Sequence, residues 1–308
     1  MNYPISGYRQ YMRKYRVIVG NPKTGRGFDV SNLRCTFYVE KAMNEEPNFS
    51  QVSIYNLAKA SVAMVKPGDI CTIEAGYENG NYGMIFTGEV VQPLVTLEEG
   101  VDRVLTLVCQ DGDSFLNSAF VSQSLGSGAN NGTVLAACTD GAISTGFISQ
   151  TIYGGGLPRG KVLFGMAADY VSEIAEESEA QMYVEDGKLN IVGAGDYGAG
   201  TAVELNPTTG LIGAANQTDD GVSGQCLINP SIKLNTLIHI GASLVTGQMI
   251  SQGDAGYTSV SSAGIYRIVK LTYEGDTRGD SWYCNFEAIT QSGAVPDGLT
   301  DGATNPWR

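Results

Sequence analysis

Short runs of alternating apolar and polar residues, separated by glycine, constrain this chain more than any other feature. Leu33, Cys35, Phe37 and Val39 alternate with Arg34, Thr36, Tyr38 and Glu40, and Cys71, Ile73 and Ala75 alternate with Thr72 and Glu74. Trp282, Cys284, Phe286 and Ala288 alternate with Tyr283, Asn285 and Glu287. Successive side chains of a strand point to opposite faces, so a period of two predicts half-buried antiparallel strands. Glycine, at 40 of 308 residues, supplies the tight turns that many short strands require.

The pattern predicts a mainly β chain with a smaller α+β insert. In the first region, 1–112, Met84-Ile85-Phe86 runs into Gly88-Glu89-Val90-Val91, and Val104 to Cys109 is nearly continuous apolar sequence. Glu98-Glu99-Gly100 reads as the hairpin turn between them. Only Lys59 to Val65 suggests a short helix here, stopped by Pro67-Gly68. The middle, 113–200, has a different texture. Phe115, Leu116, Ala119 and Phe120 suggest one or two helical turns after Asp113-Ser114. Val162, Leu163, Met166, Ala167, Tyr170, Val171, Ile174, Ala175 and Ser178 share one face at helical spacing and predict the strongest helix. Gln181 to Val184 and Lys188 to Val192 flank Glu185-Asp186-Gly187, a hairpin with Asp-Gly at its turn. Loops 124–132 and 153–160 are rich in glycine and small residues, and are expected to be mobile or ordered by a partner. In 201–292 the β pattern returns, with 246–264 expected as a long exposed hairpin tip. The tail, 293–308, has little to bury.

Composition narrows the function classes. At 43% hydrophobic residues the chain can bury real cores, and its length suggests about two domains. No run reaches the 18 or so apolar residues of a membrane helix and no signal-peptide pattern opens the chain, so a soluble protein made in the cytosol is expected. Residues 1–26 hold six basic residues (Arg9, Arg13, Lys14, Arg16, Lys23 and Arg26) and no acidic ones. The remainder carries the other 13 basic residues against all 32 acidic ones, a net charge of −19. A body this acidic disfavours DNA binding, which depends on Lys and Arg at phosphates. The basic leader is either an arm that docks on an acidic partner or a solvated tail beside the first strand.

No motif survives as a catalytic, cofactor or metal site. Cys35, Cys71, Cys109, Cys138, Cys226 and Cys284 include no Cys-x-x-Cys pair and mostly sit in apolar strand patterns, as buried reduced thiols do. His239, in Leu237-Ile238-His239-Ile240, is the single histidine, so a structural zinc site is excluded and a packed or hydrogen-bonded strand residue is expected. Gly193-Ala194-Gly195-Asp196-Tyr197-Gly198 matches a dinucleotide fingerprint, but Ala199 to Pro207 has no helical face to receive a pyrophosphate; it reads as a linker. Asp219-Asp220, Asp111-Gly112-Asp113 and Asp276 to Asp280 read as turn aspartates, for no aromatic cleft accompanies them: Trp282 fits a core face and Trp307 lies in the tail. Arg278-Gly279-Asp280 reads as a polar hairpin loop.

The order of the turns carries a resemblance. Gly210-Leu211-Ile212, Gln217-Thr218-Asp219-Asp220-Gly221-Val222, Cys226-Leu227-Ile228-Asn229-Pro230-Ser231-Ile232, Gly264-Ile265-Tyr266-Arg267-Ile268-Val269 and Gly275-Asp276-Thr277-Arg278-Gly279-Asp280-Ser281-Trp282 follow one another. This order resembles the last barrel of baseplate hub proteins from contractile phage tails and related injection machines. Val52-Ser53-Ile54-Tyr55-Asn56-Leu57, a short helix, Gly68-Asp69-Ile70, Ala75-Gly76-Tyr77 and Ile85-Phe86-Thr87-Gly88 resemble the first barrel of that family.

The resemblance implies two tail-tube-like antiparallel β-barrels flanking a small α+β domain. It implies a structural, non-enzymatic subunit with no cofactor, forming a homotrimeric pseudo-sixfold ring. That ring would join a hexameric tail tube to a trimeric central spike and leave a conduit for the genome, with DNA passing but not bound. Baseplate wedge or tape-measure components are further partners, and the location implied is the virion tail baseplate, assembled in the host bacterial cytoplasm. A tail tube or distal tail protein of the same machine is the alternative; a β-rich carbohydrate-binding or cell-wall hydrolase component is a more distant one.

Overall fold

The computed structural model describes residues 10–98, 100–198, 200–218, 220–246 and 264–291; the expected hairpin tip at 246–264, except its two end residues, and the tail 293–308 lie outside them. In the first region the chain forms β1 (Arg13–Asn21), β2 (Arg26–Asp29), β3 (Cys35–Ala42), β4 (Asn48–Tyr55), α1 (Lys59–Val62), β5 (Ile70–Tyr77), β6 (Tyr82–Glu98) and β7 (Asp102–Asp111). The middle holds α2 (Asp113–Ser118), β8 (Phe120–Leu125), α3 (Asn131–Thr139), β9 (Ser144–Ile148), β10 (Lys161–Met166), α4 (Ala167–Glu177), β11 (Ala180–Glu185) and β12 (Lys188–Gly193). The last region holds β13 (Val203–Glu204), β14 (Leu211–Gln217), β15 (Gly221–Leu227), β16 (Leu237–His239), β17 (Val245–Thr246), β18 (Ile265–Asp276) and β19 (Trp282–Thr290). The protein is mainly β, with a smaller α+β insert.

The strands of the two outer regions belong to one hydrogen-bonded sheet, in the order β17-β14-β15-β19-β18-β3-β4-β7-β6-β5-β1-β2, with β16 and β13 branching from β18. The alternation read from the sequence is the burial pattern: Cys35, Phe37 and Val39 of β3, Cys71, Ile73 and Ala75 of β5, and Trp282, Cys284 and Phe286 of β19 all enter one core. All six cysteines are buried and free; burial pushes the Cys35 thiol up to about 12, which keeps it protonated and inert.

The junction between the outer regions is the antiparallel pairing of β3 with β18, from Ala42↔Lys270 to Thr36↔Asp276. Alternation predicts each strand but carries no sign of this partner 230 or so residues away. Phe37 lies opposite Gly275 across the junction, and a Cβ on Gly275 would come within 2.2 Å of the Phe37 ring. The ring then packs edge-on against Trp282, with centroids 5.5 Å apart. Glycine here makes room for an aromatic of the other region.

The middle has its own core, in which Val134, Leu135 and Cys138 of α3 meet Val171, Ile174 and Ala175 of α4 over Met182, Val184, Leu189 and Ile191 of the β11–β12 hairpin. Two expectations are corrected. The helix expected from Val162 to Ser178 begins only at Ala167, because 161–166 is a strand paired with β8. Val162 and Phe164 are exposed while Leu163 is buried, a period of two that the 3.6-residue reading absorbed. The loops at 124–132 and 153–160 are also more structured than expected. Asn130 caps α3 through a capping box with Thr133, and the two loops exchange hydrogen bonds, Gly128 N–H to the Leu157 carbonyl and Leu157 N–H to that of Ala129.

Gly275→Ala is expected to lower stability by about 1–3 kcal/mol, the usual cost of overpacking, through the clash with Phe37. Thermal unfolding against the wild type checks it; an unchanged midpoint would remove Phe37–Gly275 packing as a determinant of the junction.

Candidate functional site: the seam, the polar face and the open edges

The β11–β12 turn reaches out of the middle core into the junction. Asp186 and Gly187 have φ of 53° and 72°, the doubly left-handed turn that an Asp-Gly pair favours. The tip touches both outer regions. Lys41 of β3 lies 2.7 Å from Asp186 and 3.3 Å from Glu185, and Lys233 lies 2.7 Å from the other Asp186 oxygen. The Leu234 N–H donates to Glu185, the Gly187 N–H donates to Asp111 at the end of β7, and the Asn48 amide donates to the Val184 carbonyl. Lys41 is 2% exposed and Asp111 1%, so these charges interact through protein with little solvent screening.

Burial and charge compete at each group. Burial opposes the Lys41 charge, but Glu185 and Asp186 hold its ammonium above the usual lysine range. Burial likewise raises Asp186, yet Lys41 and Lys233 together hold its carboxyl below the usual range. For Glu185 burial outweighs the lysines and the carboxyl is raised. Burial pushes Asp111 up to about 7 against the pull of Lys41. Sequence reasoning placed Asp111 and the Glu185-Asp186 pair in turns and missed the cluster, since Lys41, Asp111 and Lys233 are adjacent only after the sheet forms.

The outward face of the same sheet is polar on both sides of the junction. Directly paired residues share a face, and the registers define rows that run across it. One row is Gln225-Asn285-Thr272-Glu40-Phe49-Gln110, and the next is Leu227-Tyr283-Glu274-Tyr38-Gln51-Val108. Glu40 is paired with Lys270 at 3.0 Å and Asp276 with Arg34 at 2.8 Å. Among the described residues Glu274 and Glu287 have no ion-pair partner, so the face carries an acidic excess on a background of Ser, Thr, Asn and Gln.

The terminal strands of the sheet are β17 and β2, and backbone is also left open inside that order. β5 covers β6 only from Tyr82 to Glu89, whereas β7 follows β6 out to Glu98. From Gln92 to Glu98 the outer edge of β6 therefore has no strand partner among the described residues. Val95, Leu97 and Val101 of this hairpin are 53%, 65% and 82% exposed. On the other side of the sheet, β14 is met among the described residues by the two residues of β17, at Ala215 and Asn216.

The remaining candidates take structural positions. His239 Nδ1 lies 2.6 Å from a Glu204 carboxylate oxygen in the β13–β16 pair. Gly193 ends β12 and no helix follows the glycine string; Asp196 is held by Ser149 and its carbonyl accepts from Arg267. Asp220 sits at the β14–β15 turn, where its carbonyl accepts from Thr290, and Asp219 lies outside the described residues. Arg278-Gly279-Asp280 forms the β18–β19 loop, as expected. Three of the described basic residues of the leader are engaged within the chain: Arg13 donates to the Asp276, Gly279 and Asp280 carbonyls, Lys14 sits over the Tyr82 ring, and Arg16 pairs with Asp29. Arg9 lies outside the described residues.

No protein-family model matches the sequence, and no curated protein matches it. Solved structures do. The 43 kDa tail protein of prophage MuSo2 from Shewanella oneidensis is similar over 91% of this chain and 99% of its own, at 10% identity and a TM-score of 0.59. A tail protein from Neisseria meningitidis MC58 is similar over 93% and 100%, at 12% identity and a TM-score of 0.57. The chain has the fold of phage tail proteins. A third structure with this tail-protein fold is the E. coli c3393 protein, similar over 86% of this chain and 76% of its own at 11% identity and a TM-score of 0.55. It is described as a component of the type VI secretion system with structural similarity to the bacteriophage T4 tail proteins gp27 and gp5. At these identities the likeness is one of fold, and it agrees with the resemblance carried by the order of the turns.

Removing one partner of a buried ion cluster leaves the others uncompensated, which costs about 3–5 kcal/mol. Lys41→Met is therefore expected to destabilise the chain by that amount in denaturant unfolding, whereas Lys161→Met, which breaks a surface pair with Glu173, is expected to cost less than about 1 kcal/mol. Equal effects would mean that the cluster does not seat the hairpin.

Proposed function

We propose that this protein is a structural hub subunit of a phage-tail-like baseplate, acting through assembly and not through catalysis. The observation that carries the reading is the β3–β18 junction. It makes two β regions one sheet with a largely polar outward face and two unlike stretches of unpaired backbone, on β6 and on β14. A chain whose unpaired stretches complement each other associates head to tail, and such contacts close into rings when the rotation allows.

In this reading the chain comprises two tube-like barrels, 1–112 and 201–292, around the middle domain 113–200, with 293–308 as a tail. Three chains place six barrels around an axis, so a homotrimer matches a hexameric tail tube on one side and a trimeric spike on the other. The free β6 edge pairs with the β14 end of the next copy, covering backbone groups that would otherwise invite aggregation. The polar rows then line the conduit. Phosphate binding depends on lysine and arginine, and here the basic groups Lys270 and Arg34 are occupied by carboxylates, so passing DNA finds little to hold it. Tail tube and central spike are the expected partners, with wedge or tape-measure components beyond them, in the baseplate of a virion assembled in the bacterial cytoplasm.

Light scattering of the chain, alone and co-expressed with tube and spike proteins, tests the reading. A mass of three times 32.6 kDa is expected. The double variant Val95→Glu, Leu97→Glu is expected to shift the population to single chains that keep the wild-type circular dichroism spectrum, with an unfolding midpoint lowered only by the lost association. A wild type that remains single with both partners present would contradict it.

A further inference from the structure

The charge cluster at the junction does not balance. Three carboxyl groups, Asp111, Glu185 and Asp186, face two ammonium groups, Lys41 and Lys233. Lys188, opposite Glu185 in the hairpin register, is exposed, and the buried titratable groups packed around the cluster add no cation to it. Tyr183 of β11 and Tyr273 of β18 are raised by burial and remain neutral. Arg267 of β18 turns toward the Asp196 carbonyl, and Glu89 of β6 is held by Ser114. Asp113 accepts from Asn117 within α2.

The geometry also shows where the surplus is located. Both lysines are within reach of Asp186, and Glu185 takes Lys41 and the Leu234 N–H. Asp111 makes no ion pair among the described residues. One of its oxygens accepts from the Gly187 N–H at 2.9 Å, the Asp186 N–H also acts on the carboxyl, and the other oxygen is buried without a hydrogen bond of close geometry. Asp111 lines a cleft between β6, α2 and the start of β9, together with Thr87, Glu89, Ser114 and Ser144, which gives a proton a polar route from solvent.

We propose that the β11–β12 tip is seated in the junction by a proton held on Asp111, so that seating of the α+β unit against the two β regions weakens as the pH rises. With the tip seated, a proton on that second oxygen removes the surplus negative charge. With the tip withdrawn, Asp111 is hydrated and ionises as an ordinary aspartate. The proton is taken up on seating and released on withdrawal.

The direction follows from linkage. Asp111 is raised to about 7 in the folded chain from an ordinary aspartate value near 4. Its contribution is complete below the ordinary value and is lost as the pH rises through about 7. Between pH 6 and pH 8 the seating equilibrium is expected to weaken about tenfold. Asp186, held low, titrates below this window and contributes nothing to the change.

Hydrogen exchange of the full-length protein at pH 6 and pH 8, corrected for the intrinsic pH dependence of exchange, reads this directly in peptides covering 180–193. The wild type is expected to lose about tenfold in protection at pH 8. Asp111→Asn, a neutral isostere of the protonated acid, is expected to keep the same protection at both values. Glu287→Gln, on the open polar face, is expected to behave as wild type. A wild-type ratio below about twofold overturns the proposal, as does an Asp111→Asn variant that retains the wild-type ratio. Should Asp111→Asn fail to fold, carbon NMR of the wild-type carboxyl groups decides: an Asp111 midpoint near 7 supports the proposal, and one in the ordinary aspartate range overturns it.

Discussion

The pairing of β3 with β18 is the constraint on which the rest of the structure depends. It joins strands from opposite ends of the chain, so the two β regions cannot move as separate bodies while it is intact. The core, the polar face and the seat for the β11–β12 tip all lie across it. Backbone hydrogen bonds of a sheet are individually modest; Phe37 over Gly275 and the buried Lys41 cluster give this pairing its register. A one-residue slip would move Lys41 to the polar face and Glu40 into the core.

Much of the fold was legible because each strand keeps one face buried and therefore has to alternate. β3, β5, β7 and β19 were read from alternation or apolar runs, and the Asp186-Gly187 turn was read from the left-handed conformation it needs. What stayed hidden has a common physical cause. The β3–β18 pairing is a long-range choice that no local pattern records. β10 and α4 share apolar residues that satisfy a helical period across a strand–helix boundary, and only Gly165 hinted at the break. α3 leaves little local signal because it is short and rich in Gly, Ala and Thr, with Asn130 three residues before Thr133 its one capping cue.

The candidate surfaces are legible in kind more than in place. Acidity, the single histidine and a glycine string without a helix directed attention away from an active site, and the order of turns pointed to the tail-protein fold that solved structures share. The junction cluster was not legible. Asp111 looks like any aspartate before a glycine, and Lys41 follows Glu40 in a strand that otherwise alternates cleanly. Only tertiary structure gathers those residues with Glu185, Asp186 and the half-exposed Lys233 into one cluster. The open edge is half visible: the run from Met84 to Val91 and the turn at Glu98-Glu99-Gly100 are legible, but not that the strand continues from Gln92 to Glu98 with β5 stopping short of it.

The ring proposed above requires copies to meet through the unpaired backbone of β6 and β14, with the polar face of the sheet turned to the opening. End-on cryo-electron microscopy averages of the assembled chain test that most directly. Threefold symmetry with six barrel-sized lobes around a central opening, and the Thr272–Glu40 rows facing the opening, is the predicted result. A sixfold ring of chains, an unclosed filament, or a ring with the β6 edge facing solvent would contradict it.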